Sequence, residues 1–272
     1  MAKTDIEIIK PLDYEKIGVK AILFDFDGTI STLREGWERI MEPLMIEMIS
    51  GSSPASEDLV QEVKAYIDES TGIQTIFQMR WLVSKIREYG YSDIVHDEWW
   101  YKDEYNRRLM ESVQERIDRL NNGDVGSKEF LIKGSKKLLD ALKERGIELY
   151  IASGTDHKDV INEIEALGLS EYFLDAAGAP ERRADCSKIK VMKDLIDEKG
   201  FSPGELVVIG DGKVEISLAV DMGATALGMA TDEVKGFGLN LRKRDRLIDA
   251  GAHAIVADFS NYEDILKWLN IE

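Results

Sequence analysis

The chain has 272 residues, 44% of them hydrophobic and 32% charged, which is enough to bury the core of one large domain or of two smaller units. No stretch approaches the roughly 20 uninterrupted apolar residues of a membrane helix, so we expect no membrane span. The formal net charge of −17 repels nucleic acid and anionic surfaces, and any anionic ligand therefore needs a local cation. The single cysteine, Cys186, cannot form an internal disulfide and is expected to be a small packed side chain. The N-terminus lacks the apolar core of a secretory signal, and we expect a cytoplasmic protein.

Short apolar runs alternate with helical patterns along most of the chain. Three runs predict buried strands with polar ends: "VKAILFDFDGT" (19–29), "IELYIASGT" (147–155) and "ELVVIGDG" (205–212). Shorter strands are predicted at 173–176, 224–228 and 254–256. Helices that close on glycine are predicted at 134–146, 157–168 and 188–200, with a final helix in "NYEDILKWLN". This alternation predicts an α/β fold with a parallel, Rossmann-like sheet of five or six strands flanked by helices.

A long helical segment interrupts this alternation after the first strand. It has few strand patterns, and glycine-rich and serine-rich breaks divide it. We therefore predict three parts: an N-terminal extension at 1–18, an α/β core formed by 19–32 and 128–272, and an inserted α-helical domain at 33–127.

Two acids follow the first predicted strand. Asp25 stands at the strand end and Asp27 in the following loop, where Gly28 allows a tight turn. Two close carboxylates repel each other unless a cation lies between them, and Mg²⁺ is the hard cation that carboxylate oxygens prefer. The stretch predicts a metal site, and the alternative is a strand capped by Asp and Gly in a turn, which two acids rather than one make the less favoured explanation.

The other two strand ends carry complementary groups. Ser153 and Gly154 stand between a strand and a helix, where a hydroxyl and free backbone N–H groups suit an anion. Asp211 follows the third strand and Glu215 lies four residues on, so both are candidates to complete a metal shell. Ordinary helix capping is the alternative explanation for each turn.

Taken in chain order, these motifs resemble those of the haloacid dehalogenase-like hydrolase superfamily, in particular its phosphatases with a helical cap. The resemblance extends from about residue 19 to the end of the chain. It implies that Asp25 is the nucleophile of an aspartyl-phosphate intermediate and that Asp27 is the general acid and then the base. It also implies Mg²⁺ ligation by Asp25, by the backbone carbonyl of Asp27 and by Asp211, with Glu215 beyond them orienting a metal water or the lysine.

The same resemblance implies a set of phosphate contacts. Gly28, Thr29, Ser153 and the N–H of Gly154 would hold phosphate oxygens, and Lys188 would neutralise charge in the transition state. The sequence lacks the Lys-Pro pair found in many relatives, and Lys188 is chosen because it stands at a helix start. Its rivals are Lys190, Arg182 and Arg183.

The inserted helices resemble the cap that closes over the core in this superfamily. Arg34, Gln74 and Arg80 are the candidates for substrate contacts from this part of the chain. Its tryptophans are more typical of helix packing or of a dimer face than of a substrate cage, so we expect a monomer or a homodimer.

The expected function is a Mg²⁺-dependent phosphatase that acts on a small phosphorylated metabolite, such as a phosphosugar. An acid at position 27 disfavours the dehalogenating and phosphonate-cleaving branches of the superfamily. Two alternatives stay open at this point: a phosphosugar mutase of the β-phosphoglucomutase type, and a non-catalytic binding protein with the same fold.

Overall fold

The structure is a computed structural model, and it describes residues 6–92, 94–184 and 187–271. Its strands are β1 (Ile6–Ile8), β2 (Ala21–Phe24), β3 (Glu148–Asp156), β4 (Asp175–Ala179), β5 (Leu206–Gly210), β6 (Thr225–Met229) and β7 (Ala254–Val256). Its first helices are α1 (Glu38–Ser50), α2 (Glu57–Glu69), α3 (Thr75–Tyr89), α4 (Glu98–Asn121) and α5 (Ser135–Glu144). The later helices are α6 (His157–Ala166), α7 (Ser187–Asp197), α8 (Lys213–Asp221), α9 (Leu241–Asp249) and α10 (Tyr262–Trp268).

The strands form one sheet in the order β1-β7-β6-β5-β2-β3-β4. Strand β2 lies between β3 and β5 and is parallel to both, with Phe24 level with Ile151 and with Ile209. The segments that follow these three strands therefore leave the sheet at the same edge. The predicted α/β fold with a mostly parallel sheet is confirmed.

Helices cover both faces of the sheet. Ile22 and Phe24 of β2 pack on one face with side chains of α5, α6 and α10. Ala21 and Leu23 pack on the opposite face with side chains of α7, α8 and α9. Because the side chains of β2 alternate between two buried faces, all four are apolar, and this is the pattern that made the strand recognisable in the sequence.

The sheet has one more strand than the sequence predicts. Residues Ile6–Ile8 belong to the segment expected to precede the core, yet they pair antiparallel with β7. Three residues are too few to show a period, and their pairing depends on backbone contacts with a partner almost 250 positions away along the chain. Two smaller differences are that β4 starts at Asp175 rather than 173 and that a helix, α9, occupies Leu241–Asp249, where no element was predicted.

Helices α1 to α4 lie between β2 and β3 in the chain and pack on one another. The buried face of α1 includes Met41, Leu44 and Met45, and Trp81 of α3 stacks on Tyr66 of α2 with ring centroids 3.9 Å apart. The Asp97 side chain caps α4 by accepting a hydrogen bond of 2.8 Å from the backbone N–H of Trp100. None of the described helices has both the length and the apolar composition that a bilayer span requires.

Candidate active site

A cavity of about 100 Å³ lies at the carboxyl edge of β2, β3 and β5. Its floor is made by the turns that follow these strands. Its roof is made by the segment 34–37, by the turn between α2 and α3, and by α4. A bound molecule would thus lie outside the carboxyl ends of parallel strands, which is the usual position for ligands in open α/β sheets.

Three buried carboxylates meet in the floor. Oxygen atoms of Asp25, Asp211 and Glu215 all lie within 4.8 Å of one another, although the residues come from the ends of two strands and the start of α8. The backbone N–H of Asp25 donates to the carbonyl of Ile209 at 2.9 Å, which continues the sheet pairing and fixes the first acid beside the third strand. The sequence motifs around these acids are therefore neighbours in space.

Two buried lysines neutralise this cluster. The ammonium group of Lys188 lies 3.1 Å from Asp25 Oδ2 and 2.9 Å from Glu215 Oε2. On the other side, Lys243 Nζ donates to Asp211 Oδ2 at 2.6 Å and also contacts Glu233. Burial disfavours each charge, but the paired carboxylates outweigh this effect and raise the pKa of both lysines above its ordinary value.

Sequence reasoning missed Lys243 and Glu233. Glu233 lies in the loop before α9 and Lys243 lies in α9, and neither belongs to the strand-end motifs described above. Nearby Arg246 donates to the backbone carbonyl of Asp211 at 3.2 Å and contacts Asp68 at the end of α2. The helical period of α9 is the sequence pattern that could have identified Lys243, because it places positions 243, 246 and 247 on the inner side of the helix.

The donor set fits a hard divalent cation. Burial raises the pKa of Asp25 well above its ordinary value, the Lys188 ammonium opposes this shift, and the carboxylates of Glu215 and Asp211 reinforce it. A cation among the three carboxylates would keep them ionised, and oxygen ligands suit Mg²⁺. The side chain of Asp27, of which only the backbone carbonyl was expected to meet a cation, lies outside this cluster, and the side chain of Glu215, expected beyond the ligands, belongs to it.

The Asp27 side chain points to a different part of the cavity. Its Oδ2 accepts a hydrogen bond of 2.8 Å from Thr155 Oγ1, and its Oδ1 lies 4.0 Å from Nε of Arg34. Oδ1 is buried and has no hydrogen-bond partner among the described residues. Loss of solvation raises the pKa of Asp27, which favours the protonated carboxyl group that a general acid needs.

The turn after β3 lies beside the acids. Ser153 and Gly154 both line the cavity, and the backbone N–H of Thr155 donates to Ser153 Oγ at 3.1 Å. A Cβ atom on Gly154 would lie only 2.9 Å from the carbonyl oxygen of Ile73 in the turn between α2 and α3. Only a glycine permits this close approach of the roof to the floor.

The three residues of the segment 33–127 that were expected to contact a substrate lie in different places. Arg34 lines the cavity, but its guanidinium donates to Glu163 at 2.6 and 2.8 Å and to Asp159 at 3.2 Å. Gln74 is buried outside the described cavity lining, and Gln78 lines the cavity instead. Arg80 lies on the outer surface, where it bonds Glu98 at 3.2 Å, so it is not brought to the site.

Other sequence candidates occupy varied positions. Gly28 has a φ of 73°, and a Cβ atom there would lie 2.4 Å from Asp211 Oδ2, so the turn requires glycine. Thr29 is fully buried and is not among the described residues that line the cavity.

The rivals of Lys188 for the role of the active-site cation are all exposed. Lys190 pairs with Asp194, Arg182 pairs with Asp103, and Arg183 is exposed as well. Cys186 lies outside the described residues.

The fold and this arrangement of acids and lysine define a hydrolase of the haloacid dehalogenase-like class. The sequence model of the haloacid dehalogenase-like hydrolases matches residues 19–223, which include Asp25, Asp27, Asp211 and Glu215 but not Glu233. The chain belongs to this family.

Relatives and solved structures agree with this assignment. The chain is 24% identical over 123 residues to a phosphoglycolate phosphatase from Vibrio vulnificus, covering 44% of this chain and 53% of that protein. The chain spans about half the length of the curated relatives it matches. A predicted phosphoglycolate phosphatase from Haemophilus somnus has a TM-score of 0.61 at 19% identity, covering 91% of this chain and 97% of that one. A β-phosphoglucomutase from Clostridium difficile has a TM-score of 0.58 at 18% identity, covering 93% and 98%.

Proposed function

We propose that the protein is a Mg²⁺-dependent phosphatase that hydrolyses a small phosphorylated metabolite through an aspartyl-phosphate on Asp25. One observation carries the proposal: Asp25, Asp211 and Glu215 meet within 4.8 Å beside the ammonium group of Lys188, in a cavity that also holds Asp27. A nucleophile, a cation site and a separate acid are the groups that transfer of a phosphoryl group through a covalent intermediate requires.

In the first half of the reaction, a carboxylate oxygen of Asp25 attacks phosphorus, and the bond from phosphorus to the leaving oxygen breaks. Asp27 gives its proton to that oxygen, so the product leaves as an alcohol. Support comes from the unpartnered Oδ1 of Asp27 and from the raised pKa of this carboxyl group. In the second half, Asp27 accepts a proton from water as the water oxygen attacks phosphorus, and Asp25 departs as a carboxylate with release of inorganic phosphate.

The remaining polar groups of the cavity would bind the phosphoryl group and neutralise its negative charge. Ser153 and the N–H of Gly154 would bind phosphate oxygens, and Lys188 would neutralise the charge that develops on them. A Mg²⁺ ion held by Asp25, Asp211 and the carbonyl of Asp27, with Glu215 beside it, would supply further neutralisation of the phosphoryl oxygens.

We also propose that residues 33–127 act as a cap on the core formed by 19–32 and 128–272. The support is the contact between roof and floor, where Gly72 lies against Gly212 and Ile73 lies against Gly154. Such closure excludes bulk water and strengthens the electrostatic interactions around the phosphate.

The contact of Gly154 with Ile73 gives a first test of closure. Gly154→Ala should lower kcat/KM by up to about 100-fold, because the new methyl group displaces the turn that covers the phosphate. The measurement is steady-state hydrolysis of an aryl phosphate, with Mg²⁺ binding measured by calorimetry as a check that the floor is intact.

The matched control for that variant is Gly126→Ala. Gly126 has a φ of −89° and open space around its Cβ position, so this substitution should leave the kinetics unchanged. Equal activity of both variants and the parent protein would contradict closure at this contact.

A phosphate-release screen tests the activity itself. The full chain should release inorganic phosphate from at least one ester in a panel of phosphorylated metabolites and aryl phosphates, and a chelator should abolish the release until Mg²⁺ is restored. No release from any ester in the presence of Mg²⁺ would overturn the proposal. Transfer of the phosphoryl group to a second sugar hydroxyl, without stoichiometric phosphate, would show a mutase instead.

The second lysine yields a prediction about cation affinity. Lys243→Met should tighten Mg²⁺ binding by about tenfold, because it removes a positive charge in contact with Asp211. Glu233→Gln should weaken binding, since it leaves Asp211 as the one carboxylate paired with Lys243 among the described residues. Titration calorimetry of the two variants provides the measurement, and shifts in the same direction would refute this account.

A further inference from the structure

The roof of the cavity consists mostly of uncharged groups. Its polar side chains that carry no charge are Thr71, Thr75, Gln78, Tyr105 and Asn106. Its apolar side chains are Trp37, Ile73 and Leu109. In the proposed reaction the phosphate lies on the floor, so the alcohol part of a substrate would meet these hydroxyl, amide and aromatic groups.

Two cations are present among the described lining residues, and core carboxylates neutralise both. Lys188 lies between Asp25 and Glu215. Arg34 is held by Glu163, which is fully buried, and by Asp159. A second anionic group on a substrate would have to share either cation with carboxylates that already neutralise it.

The walls also carry negative charge. Glu35, Asp156 and Glu233 line the cavity in addition to the acids of the floor, whereas the cations that pair with them, Arg39, Lys102 and Lys243, are not among the described lining residues. Asp156 pairs with the buried ammonium group of Lys102 and accepts a hydrogen bond of 2.9 Å from Asn106. This pairing keeps the positive charge of Lys102 behind a carboxylate that faces the cavity.

We propose that the leaving group is a small alcohol that bears further hydroxyl groups and no negative charge. This inference rests on the proposed phosphatase function and specifies its substrate class. A carboxylate on the leaving group would meet the wall acids with no unpaired cation in the described lining. A polyol would find donors and acceptors in the roof.

Two esters of similar size test this selectivity. The full chain with Mg²⁺ should hydrolyse glycerol 3-phosphate with a kcat/KM at least about tenfold higher than that for 2-phosphoglycolate, because like charges are brought together only by the second ester. Equal rates, a preference for 2-phosphoglycolate, or failure to cleave either ester would overturn the inference. An aryl phosphate in the same assay separates the substrate class from the phosphatase function. Its hydrolysis would support the phosphatase function even if the two esters contradicted the proposed substrate class.

The Lys102–Asp156 pair allows selectivity to be shifted in both directions. Asp156→Asn removes a wall charge and exposes the Lys102 ammonium to the cavity, so the ratio of kcat/KM should move toward 2-phosphoglycolate by about tenfold. Lys102→Met should move the ratio the opposite way, because Asp156 then lacks its counter-charge. An unchanged ratio in both variants would overturn the inference.

The control is Asp103→Asn, one position from Lys102 on the same helix. Asp103 pairs with Arg182 at the surface, and both side chains are more than half exposed. This variant makes the same chemical change outside the cavity and should keep the selectivity of the parent chain. A shift as large as that of Asp156→Asn would show that general charge, rather than the cavity wall, controls the ratio.

Discussion

Asp25→Asn should reduce phosphate release by at least about 10⁴-fold, because the amide has the size of the carboxylate but carries no negative charge and is a far weaker nucleophile. The backbone N–H of Asp25 would still bond Ile209, and Lys188 would still contact the side chain, so the loss would come from chemistry rather than from folding. The measurement is single-turnover hydrolysis of an aryl phosphate by parent and variant.

A labelling experiment shows whether the loss has the proposed cause. Acid quenching during turnover of a ³²P-labelled ester should trap radioactivity on the parent protein and none on Asp25→Asn. Asp13→Asn is a suitable control, since Asp13 is exposed and does not line the cavity, and it should label as the parent does. A variant at position 25 that kept more than a few per cent of the parent rate would exclude Asp25 as the nucleophile.

Lys188→Met should have the second largest effect, and it should act on both rate and stability. The ammonium group is buried between two carboxylates, so its loss removes a cation that would face the phosphoryl oxygens and should lower kcat by about 10² to 10³. Without Mg²⁺, the unpaired carboxylates should also lower the free energy of unfolding by about 3 to 5 kcal/mol. Urea unfolding with and without Mg²⁺ measures this effect.

The effect of Mg²⁺ distinguishes this explanation from a simple packing defect. Added Mg²⁺ should restore part of the lost stability, because a cation can replace the ammonium group as the counter-charge of Asp25 and Glu215. Lys190→Met is the matched control on the same helix, since Lys190 is exposed and pairs with Asp194. If Mg²⁺ stabilised Lys188→Met no more than it stabilises the control, the charge argument would be wrong.

The motifs at the strand ends were readable because their signals are local. A run of four apolar residues followed by Asp25 and Asp27 indicates a strand and its polar end within a few positions. The geometry of a parallel sheet then predicts that such ends share one edge, and the structure does bring Asp25, Asp211 and Glu215 together there. The helical character of the insertion was readable for the same reason, since its period repeats over many turns.

Side chains of the inserted helices were harder to place from the sequence. Gln74 and Gln78 are both buried, but one lies outside the described lining and the other lies within it. Arg34 was a candidate for substrate contact, and its partner Glu163 lies 129 positions further along the chain. No local pattern records which face of a helix meets the core, so the sequence left these positions open.

The sequence by itself determined the α/β class, the polar ends of the strands and the family resemblance that these ends carry, because each depends on neighbours along the chain. Only the tertiary structure decided that β1 extends the sheet, that Lys243 and Glu233 adjoin Asp211, and that Lys102 is held behind Asp156. The physical reason is that ion pairs and strand pairing between distant segments depend on how whole elements pack, and the spacing of residues within one segment does not encode that packing.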